Sequence, residues 1–152
     1  MVVIFFVLSS EKAKKIINKQ QPISRDIVNR VKNKLAERGV VLEQSEEIDK
    51  NLVKRSREAV VYEPGDIILM HTRVSASGFY EELIHYGQLK RRGFNTSSPV
   101  DVIKMEIEAQ EKLIKYRRAY KITDEEIEIL TKNLNWYLTK LSELEKGGVQ
   151  IV

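Results

Sequence analysis

The spacing of apolar residues changes period several times along the chain, and each change marks an element. Met1 to Leu8 is almost wholly apolar, with Val2, Val3, Ile4, Phe5, Phe6 and Val7 β-branched or aromatic. That composition predicts a buried strand or a packed terminal segment. Ser9-Ser10 caps a short helix from Glu11 to about Lys19, which stops before Pro22. Ser24 caps a second helix with Ile27, Val28, Val31 and Leu35 on one face, and Gly39 supplies its left-handed stop. Val40 to Leu42 reads as a short strand, and residues 43–57 as an irregular segment or weak helix. Ala59 to Tyr62 and Ile67 to His71 are strands flanking Glu63-Pro64-Gly65-Asp66, a tight-turn signature, so they predict a hairpin.

Helical periods dominate the second half. One helix is expected from about Ser75 to Arg91. Ser98-Pro99 starts a long helix that should reach about Tyr120. Thr123 and Glu126 form a capping box for a last helix with Ile127, Leu130, Leu134, Leu138, Leu141 and Leu144 facing inward, ended by Gly147-Gly148. Helices, a small sheet, then three helices make an α+β fold, with a small β-sheet packed on a helical core and a C-terminal helical hairpin. No repeat or low-complexity tract appears, so residues 1–152 read as one domain.

Composition narrows the chemistry. There is no cysteine, which excludes disulfides, thiolate metal sites and cysteine nucleophiles. Residues 11–38 carry nine Lys/Arg against three acids, a net +6, whereas residues 39–66 carry four against seven, a net −3. The basic stretch is expected to be a solvated lysine-rich face, so nucleic acid is disfavoured as a partner. Met1 to Leu8 is too short to span a bilayer and lacks the basic start and cleavage site of a secretory signal, so no membrane span is expected.

The chemistry-bearing stretch is Phe79-Tyr80-Glu81-Glu82-Leu83-Ile84-His85-Tyr86-Gly87-Gln88, in a chain with only two histidines. On a helical wheel Glu81, His85 and Gln88 share one arc with Glu82 at its edge, and Phe79, Tyr80, Leu83, Ile84 and Tyr86 occupy the other. Residues four apart emerge one turn apart, so Glu81 and His85 can converge on one metal ion. A solvated polar face explains the same pattern. Glu106 adds a second signal, because it falls within the apolar arc of the next helix, between Val102, Ala109, Leu113 and Ile103, Ile107, Ile114. A carboxylate there needs a partner, a proton or a metal, and His85, Arg73, Arg91 and a capping hydroxyl are the candidates. The other histidine, His71, sits at a strand end. No second Glu-x-x-His motif supports a di-iron site, and no nucleophile elbow supports a serine triad.

Glu81-Glu82-Leu83-Ile84-His85 followed by Glu106-Ile107-Glu108-Ala109 resembles the gluzincin branch of the zincin metallopeptidases. There a His-Glu-x-x-His helix supplies two ligands and a later helix a glutamate. The phrasing is similar to small C-terminal domains of bacterial polymorphic toxins and phage proteins. The resemblance covers roughly residues 58–140, making 58–146 a zincin-like core and 1–57 an N-terminal helical extension. It implies His85 and Glu106 as metal ligands, Glu82 as general base, and Glu81 in the place of the first histidine. The implied cofactor is a divalent metal, zinc, with manganese or iron as the alternatives that a harder donor set allows. The strand Ile67 to His71 resembles the edge strand along which such peptidases lay their substrate.

A peptide or protein substrate, and an immunity or other partner protein, would follow. So would a cytoplasmic site of action, in the producing cell or in a target cell reached by a secreted toxin. The alternatives are an inactive zincin-like interaction module and a basic nucleic-acid-binding toxin domain.

Overall fold

In the computed structural model, residues 2–3, 22–55, 58–62, 67–91 and 98–147 are described. Residues 1–86 and 87–152 form two compact units, and the division falls at Tyr86–Gly87, inside a continuous helix. The first unit contains β1 (Val2–Val3), α1 (Arg25–Ala36), β2 (Val41–Glu43), α2 (Glu46–Lys54), β3 (Ala59–Tyr62), β4 (Ile67–Met70) and most of α3 (Ala76–Arg91). The expected α+β class holds. The expected Glu11 to Lys19 helix, most of the Met1 to Leu8 segment and the Pro-Gly turn lie outside the described residues.

Local signals explain most boundaries in this unit. α1 buries Val28 and Leu35 and ends where Gly39 adopts φ +77°. There the Gly39 N–H donates to Ala36 O (3.0 Å) and the Val40 N–H to Leu35 O (3.0 Å). Ser24, expected to cap this helix, makes no side-chain cap bond. The stretch after β2 is a true helix rather than an irregular segment. Ser45 Oγ accepts the Ile48 N–H at 3.1 Å, three acids (Glu46, Glu47, Asp49) occupy its first turn, and Leu52 anchors it in the core.

The sheet order is β1-β3-β4-β2. β3 and β4 pair antiparallel from Ala59↔Met70 to Tyr62↔Ile67, the expected hairpin. β2 runs parallel to β4 with Val41 opposite Ile67 and Glu43 opposite Leu69. β4 is therefore an interior strand, which corrects its reading as an edge strand open to substrate. The parallel partner comes from earlier in the chain, and nothing in the β4 sequence announces it. Leu42, Leu52, Val60, Val61, Ile68, Met70, Val74 and Phe79 are buried in this unit, each such side chain contributing about 1.5–3 kcal/mol.

The second unit holds the end of α3, α4 (Pro99–Lys115) and α5 (Asp124–Gly147). α4 stops at Lys115, five residues before the expected Tyr120, because the backbone turns through residues 116–122. The capping box forms reciprocally. The Thr123 N–H donates to Glu126 Oε2 (2.8 Å) and the Glu126 N–H to Thr123 Oγ1 (3.2 Å). α4 buries Met105, Ile107, Ala109 and Leu113 together with Glu106 and Gln110. Of the residues expected inward on α5 only Leu130 is buried, and Leu138 is exposed beside Trp136. Among the described residues no helix is long and apolar enough to cross a membrane.

Candidate metal centre

The entry into α3 is fixed by polar bonds from four parts of the first unit. Gln44 Nε2 donates to His71 O (3.1 Å), and the His71 N–H donates to Glu58 O (2.7 Å). Asp49 accepts from Thr72 through both its backbone N–H (2.8 Å) and its hydroxyl. The Ile23 N–H donates to Val74 O at 2.9 Å. Ser75 then caps the helix, its Oγ accepting the Gly78 N–H at 3.0 Å. The Ser75 N–H and hydroxyl lie 3.2 Å from Glu58 Oε1. A Cβ at Gly78 would stand 2.6 Å from Glu58 Oε2, so a larger residue there would push the carboxylate out of this position. Glu58 was not singled out in the sequence. It lies just before β3, and only the sheet brings it to the helix start.

α3 carries the motif, and its polar arc is not solvated. Glu81, Glu82 and Gln88 are buried and His85 is fully so. The wet-face reading is thereby overturned. On the apolar arc Phe79 and Tyr86 are buried as well, whereas Leu83 and Ile84 are only half-buried. His85 Nε2 stands 3.7 Å from Glu81 Oε1, one turn away.

One turn further, within the second unit, Gln88 ties the same helix to α4. Its Nε2 donates to Met105 O (3.0 Å) and to Glu108 Oε1 (3.2 Å). Arg91 (3.4 Å) and Lys112 (3.2 Å) also reach Glu108. Burial pushes the Glu108 carboxyl up. The hydrogen bonds from Gln88 and Lys112, with the charges of Lys112 and Arg91, outweigh it and hold the group below the usual carboxylate range. Arg91, a candidate partner for Glu106, is thus engaged by Glu108.

Glu106, the residue after Met105, is buried as its wheel position predicts. One donor atom each from Glu81, His85 and Glu106 lie within 4.8 Å of one another. Around a tetrahedral ion with bonds of about 2.0–2.2 Å, neighbouring donors stand roughly 3.4 Å apart. The Glu81–His85 separation of 3.7 Å is close to that. Two carboxylates and an imidazole are also suitable donors for a divalent cation. The group can hold a metal ion. Glu82, the residue after Glu81, is buried and is not one of the three, and Gln110, fully buried one turn beyond Glu106, went unnoticed in the sequence because glutamine carries no metal-site signature.

His71 is not part of the group. Its Nδ1 accepts the Arg73 N–H (3.0 Å), and Nε2 faces Asp49 Oδ2 at 3.8 Å. Burial lowers its pKa from the ordinary 6.5, Asp49 opposes that, and Arg73 adds to it. No protein-family model matches this chain, and no curated protein or solved structure matches it either.

Proposed function

We propose that this protein is a metal-dependent hydrolase of zincin type acting on peptide bonds, with Glu81 replacing the usual first histidine ligand. The observation that carries the reading is the buried group of Glu81, His85 and Glu106, with a further buried carboxylate, Glu82, adjoining it in sequence. Glu81, His85 and Glu106 would hold the ion through two carboxylate oxygens and an imidazole nitrogen. A divalent cation bound there supplies Lewis acidity. Glu82 acts as general base. Its carboxylate takes a proton from the attacking water and returns it to the amine nitrogen of the leaving group. The similarity of the motif phrases to toxin and phage domains makes a protein substrate, and a neutralising partner protein, the expected context.

The replacement of a histidine by Glu81 favours a second reading, an inactive zincin-like module that retains the site without turnover. Metal analysis of chelator-free protein separates both from a metal-free fold. One bound ion per chain, lost in His85→Ala and Glu106→Gln, supports the site, and its absence from the wild type overturns it. Glu82→Gln should keep the ion and lose peptidase activity. A wild type that binds metal and cleaves no peptide leaves the inactive module.

A further inference from the structure

The connection between α4 and α5 carries charge that the fold does not use. Residues 112–121 contain five lysines and arginines and no acid. Lys112 pairs with Glu108. Lys115, Arg117, Arg118 and Lys121 are exposed, and among the described residues none of the four is in an ion pair. A cation or two near a helix C-terminus complements its partial negative charge. Four on one turn repel one another unless an anion lies against them. Asp124 and Glu125 follow in the first turn of α5, where the helix N-terminus holds them.

The backbone presenting these cations is firmly folded. The Tyr120 N–H donates to Tyr116 O (3.0 Å), the Lys121 N–H to Arg118 O (3.2 Å) and the Ile122 N–H to Arg117 O (2.9 Å). The last two bonds make a Schellman turn, whose left-handed position is normally glycine. Here it is Lys121, at φ 54°. A lysine at that position costs stability relative to glycine, and what it adds is a fourth unpaired charge. Tyr116 is 42% exposed, its ring 5.9 Å from that of Tyr120 and 5.3 Å from Lys115 Nζ. Lys115, Tyr116, Arg117 and Arg118, with Ile114 and Ala119, line an open depression of about 540 Å³.

Cations at short intervals with an exposed aromatic ring among them suit one class of polyanion. Single-stranded nucleic acid offers both phosphates for the cations and unpaired bases for the ring, whereas a duplex hides its base faces and an anionic bilayer has none. We propose that the α4–α5 corner binds single-stranded nucleic acid, with Lys115, Arg117, Arg118 and Lys121 on phosphates and Tyr116 stacked on a base.

The test is fluorescence anisotropy of a labelled oligothymidine with the full chain. Parallel titrations use a duplex of equal length, polyglutamate, and vesicles of phosphatidylcholine with phosphatidylserine. The single strand should bind most tightly, with log K falling against log salt with a slope of about −3, near −0.7 for each of four phosphates. Arg117→Ala with Arg118→Ala should weaken binding about tenfold or more, and Tyr116→Ala should weaken it while leaving the salt slope in place. Lys121→Gly is the decisive variant. It should melt higher, by about 3 °C, and bind more weakly with a shallower salt slope. Unchanged binding in Lys121→Gly and the double arginine variant would overturn the proposal. So would preference for the duplex, polyglutamate or the vesicles, or no binding of the single strand.

Discussion

Glu81 Oε1 lies 3.7 Å from His85 Nε2, one turn along the same helix, and the imidazole is wholly enclosed. At this spacing the helix presents a carboxylate oxygen and an imidazole nitrogen close together on one side. With Glu106 the donor set is two carboxylates and one imidazole. Such a set neutralises a dication and is harder than two imidazoles and one carboxylate, which weakens its bias toward zinc.

Glu81→His should therefore raise the preference for zinc over manganese by about tenfold or more. Competitive titration against a chromophoric chelator reads the ratio directly. An unaltered ratio means that residue 81 is not a donor.

Metal binding should also appear as folding stability, since the donors converge only in the native chain. At a hundredfold excess over Kd the gain is about 2.7 kcal/mol. Thermal unfolding with and without excess zinc or manganese measures it, and chelator should reverse it. Glu106→Gln keeps the shape of the side chain, removes one buried charge, and should abolish most of the metal-dependent shift. A shift of full size in that variant would remove Glu106 from the site.

Gly78→Ala should destabilise the native state by about 1 kcal/mol, because the added methyl pushes the Glu58 carboxylate, 2.6 Å away, off its bonds to Ser75. Combining it with Glu58→Ala should cost less than the two single losses together, since the clash disappears with the carboxylate. Urea denaturation of the four proteins gives the coupling, and strict additivity would show that the two residues do not meet.

His71 should impose a pH dependence on stability. Its native pKa lies below the ordinary 6.5, chiefly through burial. As pH falls the unfolded chain takes up the proton first. The contribution is therefore whole above about pH 6.5, declines as pH drops through the lowered value, and is lost below it. Protonation at Nδ1 would also break the bond from the Arg73 N–H. The difference in unfolding free energy between wild type and His71→Asn, measured from about pH 5 to 8, should shrink toward low pH. A flat difference would contradict the assignment.

Much of this fold was legible in the sequence wherever the signal was local. Gly39, the Thr123–Glu126 box, the hairpin of β3 and β4, and the extent of α3 all follow from residues a few positions apart. The burial of Glu106 was legible too, because its neighbours on the wheel are apolar. Three features were not. A wheel shows that Glu81, His85 and Gln88 share an arc, and nothing on it shows that the arc is enclosed. The interior position of β4 depends on β2, more than twenty residues earlier, approaching in parallel. The end of α4 at Lys115 is announced by no glycine or proline, since neither occurs from residue 116 to residue 122.

The parallel pairing of β2 with β4 has a consequence in time. β3 and β4 are only four residues apart in the chain, whereas β2 reaches β4 only after α2 and β3 have been accommodated between them. Closing the longer loop costs more entropy, so the hairpin is expected to form first and β2 to join a surface already made. Truncating Ile68 to Val should then slow folding, whereas truncating Leu42 to Ala should chiefly speed unfolding. Stopped-flow kinetics of the two variants would distinguish this order from its reverse. While the sheet is incomplete, the long side of β4 is an unpaired edge of apolar residues, and the young chain is most prone to aggregate during that interval.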